Sequence, residues 1–478
     1  MNYRIILHTL GWVLNLEALA LTLPLICAAV TGEPYIPLFA VCIAICAVLG
    51  VSLTIRSPKN KRMYSKEGFV TVAFAWIVMS FFGALPFFIS GFIPNFADAL
   101  FETVSGFTTT GASILSDVEA LPKCLLFWRS FTHWIGGMGV LVFLVAVLPL
   151  AGGDNLFLIK AESPGPSVSK LVPKVKTTAN ILYRMYFVLT AVQVIFLCAG
   201  GLDFFSALTL TFGTAGTGGF AIKNSGLAEY TPYVQNVITV FMILFGVDFS
   251  LYYMLLLGNI RDVARSDELR AYIGILIAAT AVITLNCRGL FDSLATTLRH
   301  AAFQVASITT TTGYSTADFD KWPELSKTVL IVLMFMGACA GSTAGGIKIS
   351  RVVIWAKSIF KEVKTVSHPK RTYKITMNGR TVDHDVLRAI NVYMAAYALI
   401  FVVSLLVVSI DERDFVTNFT AVATTLSNVG PGFGGVGPTC NFGSFSLLPK
   451  AVMTLDMLIG RLEIFPILVL FSPHAWRK

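Results

Sequence analysis

The sequence predicts an all-α polytopic membrane protein of ten transmembrane helices, in which two helices lead and eight form four parallel helix/pore-helix/filter-loop/helix repeats around one pore. Two observations carry this. Hydrophobic residues make up 55% of the 478 and charged residues only 13%, and apolar runs long enough to cross about 30 Å of hydrocarbon recur along the chain. Four times, a short apolar segment runs into a Thr/Gly-rich stretch that cannot stay helical: Thr108-Thr109-Thr110-Gly111-Ala112, Gly216-Thr217-Gly218-Gly219-Phe220, Thr310-Thr311-Thr312-Gly313-Tyr314 and Ser427-Asn428-Val429-Gly430-Pro431. Unwound backbone in a membrane protein is tolerated only where protein buries it or where it lines a watery cavity. Four such loops suggest one pore built from four quarter-units.

Taken in order, the first span runs from about Ile5 to Val30, too long and too lightly flanked for a cleaved signal peptide, and the second from about Pro37 to Ile55. Eight more follow at about 69–91, 124–150, 180–200, 232–258, 270–286, 326–357, 386–410 and 447–472. They pair off around the four loops, which divides the chain into 1–67 (leading helices and basic loop), 68–165, 166–266, 267–380 and 381–478. Each short segment before a loop has an acidic residue near its start, Asp98, Asp203, Asp292 or Asp414, where a carboxylate favours the helix dipole. Spacings between Gly111, Gly219, Gly313 and Gly430 are 108, 94 and 117 residues, so the repeats are loose. Each contains an even number of crossings, so all four run the same way, unlike the inverted repeats of many transporters.

The net charge of +9 is distributed as a membrane protein distributes it and does not point to nucleic acid. With the N-terminus placed in the cytoplasm, 26 of the 36 Lys and Arg residues fall in inside segments, nine fall outside, Arg129 among them, and Arg461 falls within a span. The positive-inside bias therefore puts both termini in the cytoplasm and requires an even number of crossings. The eight cysteines are scattered through apolar segments without a CxxC pair and read as small core residues.

Converging unwound loops would offer rings of carbonyl oxygens able to replace the hydration shell of a cation. Glycine permits the backbone angles this needs, and threonine adds hydroxyls without charge. The loops contain no acidic ring, which favours a monovalent cation over a divalent one. Gly432 to Gly437 matches G-x-G-x-x-G but lacks a preceding strand and a following helix, so it is not a nucleotide site. The six histidines show no metal-ligand spacing, and no acid/base pair marks an enzyme.

The segments Trp134-Ile135-Gly136-Gly137-Met138-Gly139, Gly341-Ser342-Thr343-Ala344-Gly345-Gly346-Ile347-Lys348 and Gly460-Arg461-Leu462-Glu463-Ile464-Phe465 resemble the TrkH-type members of the bacterial Trk/Ktr/HKT potassium transporter superfamily, over essentially the whole chain. The resemblance implies a potassium-uptake pore in the bacterial inner membrane, a homodimer with one pore per subunit, gated by a cytosolic ring of nucleotide-binding TrkA-type subunits. It places a potassium-binding filter on Thr109, Thr110, Gly111, Gly218, Gly219, Thr311, Thr312, Gly313, Asn428, Val429 and Gly430. The fourth loop departs most from the Thr-Thr-Gly pattern, which predicts a filter short of fourfold symmetry. A serine for the first glycine goes with sodium permeation in plant relatives; Gly111 stands there in this chain and favours potassium. The alternative is a proton- or sodium-coupled potassium symporter.

The resemblance also makes Gly337, Gly341, Gly345 and Gly346 an intramembrane gate below the filter. Residues alone allow a second reading, close helix packing through small-xxx-small spacing. Arg461, inside the last span, is either a pore-facing barrier to cations or a structural arginine, and Glu463 two residues on points to another helix face. Asp248 lines the permeation path, carries a proton or packs as a hydrogen-bonded carboxylate. The basic stretch Lys357 to His384 suits lipid headgroups or a soluble regulator.

Overall fold

The structure, a computed structural model, describes residues 1–56, 58, 63–139 and 175–476. Helices α1 (Tyr3–Ala20) and α2 (Thr22–Thr31) run on as one span and α3 (Ile36–Thr54) returns. Next come α4 (Ser65–Gly83), prolonged by α5 (Leu85–Ile89), the short α6 (Phe96–Phe107) and α7 (Lys123–Gly137). The order is repeated by α8 (Val175–Ala199), the short α9 (Phe204–Ala215), α10 (Pro232–Phe245) and α11 (Phe249–Leu256), with α12 (Ile260–Ala264) as a connector. It is repeated again by α13 (Asp267–Asn286), the short α14 (Leu294–Thr309), α15 (Glu324–Phe335) and α16 (Ile349–Ser367). A hairpin of β1 (Thr376–Met377) and β2 (Arg380–Thr381) leads into α17 (His384–Val408), the short α18 (Phe415–Leu426), α19 (Leu447–Arg461), α20 (Phe465–Phe471) and α21 (Pro473–Trp476).

Burial is inverted relative to a protein folded in water. Val30, Leu256, Val366 and Phe471 are exposed, while Thr108 to Thr110, Thr309 to Thr312, Thr424 and Thr425 are fully buried. Apolar surface of this extent is stable only against lipid. The chain is a membrane-embedded helical protein.

Six helical stretches among the described residues are long and apolar enough to cross a membrane: Tyr3–Thr31, Ile36–Thr54, Lys66–Ile89, Ala179–Ala199, Asp267–Asn286 and His384–Asp411. The spans expected at 232–258, 326–357 and 447–472 are not continuous. α10 and α11 meet at 89° across Gly246 to Asp248, residues 336–348 separate α15 from α16, and Glu463 and Ile464 take φ of 59° and 70° between α19 and α20. In the expected span 124–150, helix α7 ends at Gly137, and the part beyond Gly139 lies outside the described residues, as does the boundary expected at 165. The second helix of every pair thus stops after 12 to 15 residues, short of the ~20 a full crossing requires.

The helices close a ring. α6 packs on α7, α7 on α9, α9 on α10, α10 on α14, α14 on α15, α15 on α18, α18 on α19, and α19 back on α6. Short and broken helices alternate around it, with the longer apolar helices outside. At the α7–α9 contact, Phe212 meets Phe127, Phe131 and Trp134 at centroid distances of 5.3 to 5.8 Å, a range that suits edge and offset aromatic packing.

Candidate functional site

The four short helices start and stop by one device. Their N-caps are Asn95, Asp203, Ser293 and Asp414, whose side chains accept from Ala97, Ser206, Thr296 and Thr417 backbone N–H groups. Asp203 and Asp414 are themselves the caps, Asp98 lies within the first turn of α6 and Asp292 immediately precedes the Ser293 cap of α14, so all four carboxylates lie near a helix start as expected. At the C-terminal ends, Thr110, Gly218, Thr312 and Val429 N–H reach back to Ser105, Gly213, Ser307 and Thr424 carbonyls at 2.8 to 2.9 Å. The preceding residues, Thr109, Thr217, Thr311 and Asn428, bond to Gly106, Thr214, Ile308 and Thr425 at 3.0 to 3.3 Å. This is a Schellman ending, which puts its C′ residue in the left-handed region, usually as glycine and sometimes asparagine. Here φ is 55°, 56° and 55° at the three threonines and 57° at Asn428. A β-branched residue at such a φ costs about 1–3 kcal/mol and persists where surrounding structure over-determines it, commonly at functional sites.

After that residue comes one carbonyl and then a glycine, Gly111, Gly219, Gly313 or Gly430, with φ between 75° and 98°. These glycines close a second ring. A Cβ on Gly111 would collide with the Gly218 carbonyl, on Gly219 with that of Thr312, on Gly313 with that of Val429, and on Gly430 would stand 2.6 Å from that of Thr110. Each glycine therefore lies against the carbonyl one residue before its counterpart in the next loop. Asn428, which breaks the Thr-Thr-Gly pattern, keeps the backbone of the other three, and its amide bonds the Thr110 hydroxyl and the Met457 carbonyl, both at 2.9 Å.

All four glycines border one cavity of about 210 Å³. At its rim the Asn224 amide bonds Asp117 at 2.7 Å and holds that carboxyl below the usual carboxylate range. Behind it, Arg129 was expected in an outside loop but is buried in α7: it donates to Glu102 at 2.7 Å and to the Ala221 carbonyl at 2.9 Å, and stacks 3.5 Å from the Phe220 ring centroid. Glu102 also accepts from the Ile114 N–H at 2.9 Å. His133 joins the same two loops, its Nδ1 2.7 Å from the Gly106 carbonyl and its Nε2 accepting from Phe220 N–H at 3.2 Å. One nitrogen donating and the other accepting fixes a neutral tautomer. Sequence reasoning missed Arg129, Glu102 and His133 as loop supports; the signal was an Arg and a His within the apolar run of α7.

On the other side of the ring, residues 336–348 are not helical, so the helix-packing reading of their glycines fails. The stretch supplies the partners that the broken helices lack. Cys339 N–H bonds the Gly246 carbonyl at 3.0 Å and Gly337 N–H bonds that of Ile347 at 2.8 Å, while the Thr311 hydroxyl accepts from Gly345 N–H at 2.7 Å. Gly337 packs against the Gly345 carbonyl, Gly341 (φ 76°) against Asp248, and Gly346 has φ 66°. Arg461 donates to the Thr343 carbonyl at 2.7 Å and to those of Gly136 and Gly137 at 2.5 and 2.9 Å. Glu463 lies past the end of α19 rather than on another face of it, and pairs with Arg351, which lies 4.1 Å from the Tyr393 ring. Arg461, Lys348 and Glu463 share with the stretch a cavity of about 100 Å³. Lys348, buried and donating to the Ala344 and Gly345 carbonyls, is a second cation that sequence reasoning did not single out. Asp248 caps α11, accepting from the Ser250 N–H at 2.8 Å and hydroxyl at 2.6 Å. Among the described residues no group of three or more His, Cys, Asp or Glu could hold a metal, and all eight cysteines are free.

A ring of backbone carbonyls on four unwound loops in a membrane-embedded bundle is the architecture of a membrane transport protein. The TrkH family, described as cation transport protein, matches residues 36–478, and the chain belongs to it. It is 35% identical over 489 residues to the Trk system potassium uptake protein TrkH of Salmonella typhimurium and 35% identical over 490 residues to that of Escherichia coli, each match covering 100% of both chains. The crystal structure of the potassium transporter TrkH from Vibrio parahaemolyticus superposes with a TM-score of 0.89 at 31% identity, again covering 100% of both chains.

Proposed function

We propose that the chain takes up potassium across the bacterial inner membrane through one channel-like pore, formed by ten crossings with both termini cytoplasmic. Four units, 68–165, 166–266, 267–380 and 381–478, each give one loop to the filter. The closed ring of Gly218, Thr312, Val429 and Thr110 carbonyls against the four glycines carries this reading. Each short helix ends at its loop, so four helix C-termini, each equivalent to about half a negative charge, favour a cation there. The loops hold no carboxylate, which suits a monovalent ion. Residues 336–348 with Arg461 form the gate beneath: the stretch is bonded to the filter through Thr311, and Arg461 and Lys348 put positive charge in the cavity that a cation must cross.

A nucleotide-binding cytosolic subunit of the TrkA type regulates the gate, and the assembly is a homodimer in contact with membrane lipids; this chain itself binds potassium and no nucleotide. Potassium and sodium flux into proteoliposomes, with Gly313→Ser alongside, tests the filter. Potassium-selective flux that loses discrimination in the variant is expected. Equal flux of both ions through the unmodified chain would overturn it.

A further inference from the structure

The 336–348 stretch and the first turn of α16 are tied to a single carboxylate. Glu268, in the first turn of α13, accepts through one oxygen from Ala340 N–H at 2.7 Å and from Ser350 N–H at 3.0 Å. Ala340 precedes the turn of the stretch and Ser350 lies in the first turn of α16, so this side chain staples the segment between them closed. Its neighbour Asp267 faces the other way. Asp267 accepts from Lys357 Nζ at 3.0 Å and from Asn378 N–H at 3.1 Å, and its own N–H donates to the Asn378 side chain at 2.8 Å. Lys357 also reaches the Thr376 carbonyl at 2.9 Å. Asn378 and Gly379, at φ 51° and 74°, form the tight turn of the β1–β2 hairpin, the Asn-Gly pairing such a turn favours.

We propose that Glu268 is a positioning residue that latches the 336–348 stretch in its closed arrangement, and that Asp267 couples this latch to the β1–β2 hairpin. The inference rests on reading that stretch as the gate, and deepens it by naming the contact through which load on the basic side reaches it. The hairpin lies within the basic segment 357–384, whose role the sequence left open. Two adjacent residues, one holding the stretch and one holding the hairpin, make the first turn of α13 a lever: displacing the hairpin pulls on Asp267 and so on Glu268. Hydrogen bonds to a charged acceptor are stronger than neutral ones, which suits a latch that must hold until loaded.

Cys339, buried in the stretch, is a native reporter of its opening. Its modification by a small thiol reagent would be followed by mass spectrometry of its peptide, in the full chain in proteoliposomes, beside rubidium flux. Glu268→Ala is expected to speed modification about tenfold, the ratio that losing a charged hydrogen bond gives. Glu268→Gln, whose amide oxygen still accepts from both N–H groups, is expected to stay within about threefold of the unmodified rate. Asp267→Ala with Asn378→Gly cuts the tether but keeps the turn, and about a threefold rise is expected. A folded Glu268→Ala chain labelled at the unmodified rate overturns the latch, and an unchanged rate in the tether variant overturns the coupling. Should Glu268→Ala fail to insert, Glu268→Asp, whose carboxylate stops one methylene short of the two N–H groups, takes its place, and labelling of that variant at the unmodified rate overturns the latch. Faster labelling without faster flux leaves the latch standing and removes the gate role from the stretch.

Discussion

At the scale of single residues, the site is marked by side chains placed where ordinary folding rules disfavour them. Thr109 occupies a helix ending that prefers glycine, and its buried hydroxyl finds no protein partner. Thr109→Gly should therefore raise the stability of the purified protein by about 1 kcal/mol, strain relief being partly offset by the entropy of glycine, and should lower discrimination of potassium over sodium. A thermal melt beside a two-ion flux ratio checks both halves; a drop in stability would show that the left-handed turn is not strained. Arg129 makes the opposite case, since it stabilises. Arg129→Ala leaves Glu102 buried and unpaired, a loss of about 3–5 kcal/mol, whereas Arg129→Lys keeps the charge but not the fork that reaches Ala221 and covers Phe220. The melting temperatures should fall in the order unmodified, Lys, Ala. The loop glycines were legible in the sequence because glycine at a turn is a local signal. The Arg129–Glu102 pair was not, because nothing local connects residues 27 apart in sequence.

At the scale of elements, the sequence showed where helices would run but not where they break. The loops were legible from Thr and Gly clusters, and the 336–348 break from four glycines in ten residues. Gly246-Val247-Asp248 and Leu462-Glu463-Ile464 carry no comparable cluster. Tertiary bonds make those breaks: Asp248 caps the new helix, Cys339 takes up the Gly246 carbonyl, and Arg351 holds Glu463. Arg461 belongs to the same economy, because its guanidinium ties the end of α7 to the 336–348 stretch. Arg461→Ala should raise potassium flux several-fold, with about 1.5–3 kcal/mol of charged hydrogen bonding at stake. Arg461→Lys separates two causes. It keeps the positive charge but cannot reach three carbonyls at once, so low flux in the lysine variant assigns the barrier to charge, and raised flux assigns it to the tie.

At the scale of the whole molecule, two closed rings share one cyclic order. The helix ring runs through α6, α9, α14 and α18 in chain order, and the carbonyl ring runs through the loops that follow them in the same order. Sequential units with equal orientation can close this way around an axis normal to the membrane. On the proposed reading the four loops form a filter about that axis, and such a filter does not require one repeat to rock against another, in contrast to transporters built from inverted repeats. Asp248, the intramembrane carboxylate that a proton-coupled cycle would call on, is engaged in capping α11. A pore with these properties passes current that reverses at the potassium equilibrium potential. Adding a pH or sodium gradient across the proteoliposome should leave that reversal potential unchanged, because uncoupled flow responds only to the gradient of the permeant ion. A coupled symporter would instead shift it by an amount fixed by stoichiometry, and Asp248→Asn would abolish the shift. The same recording therefore decides between the two mechanisms.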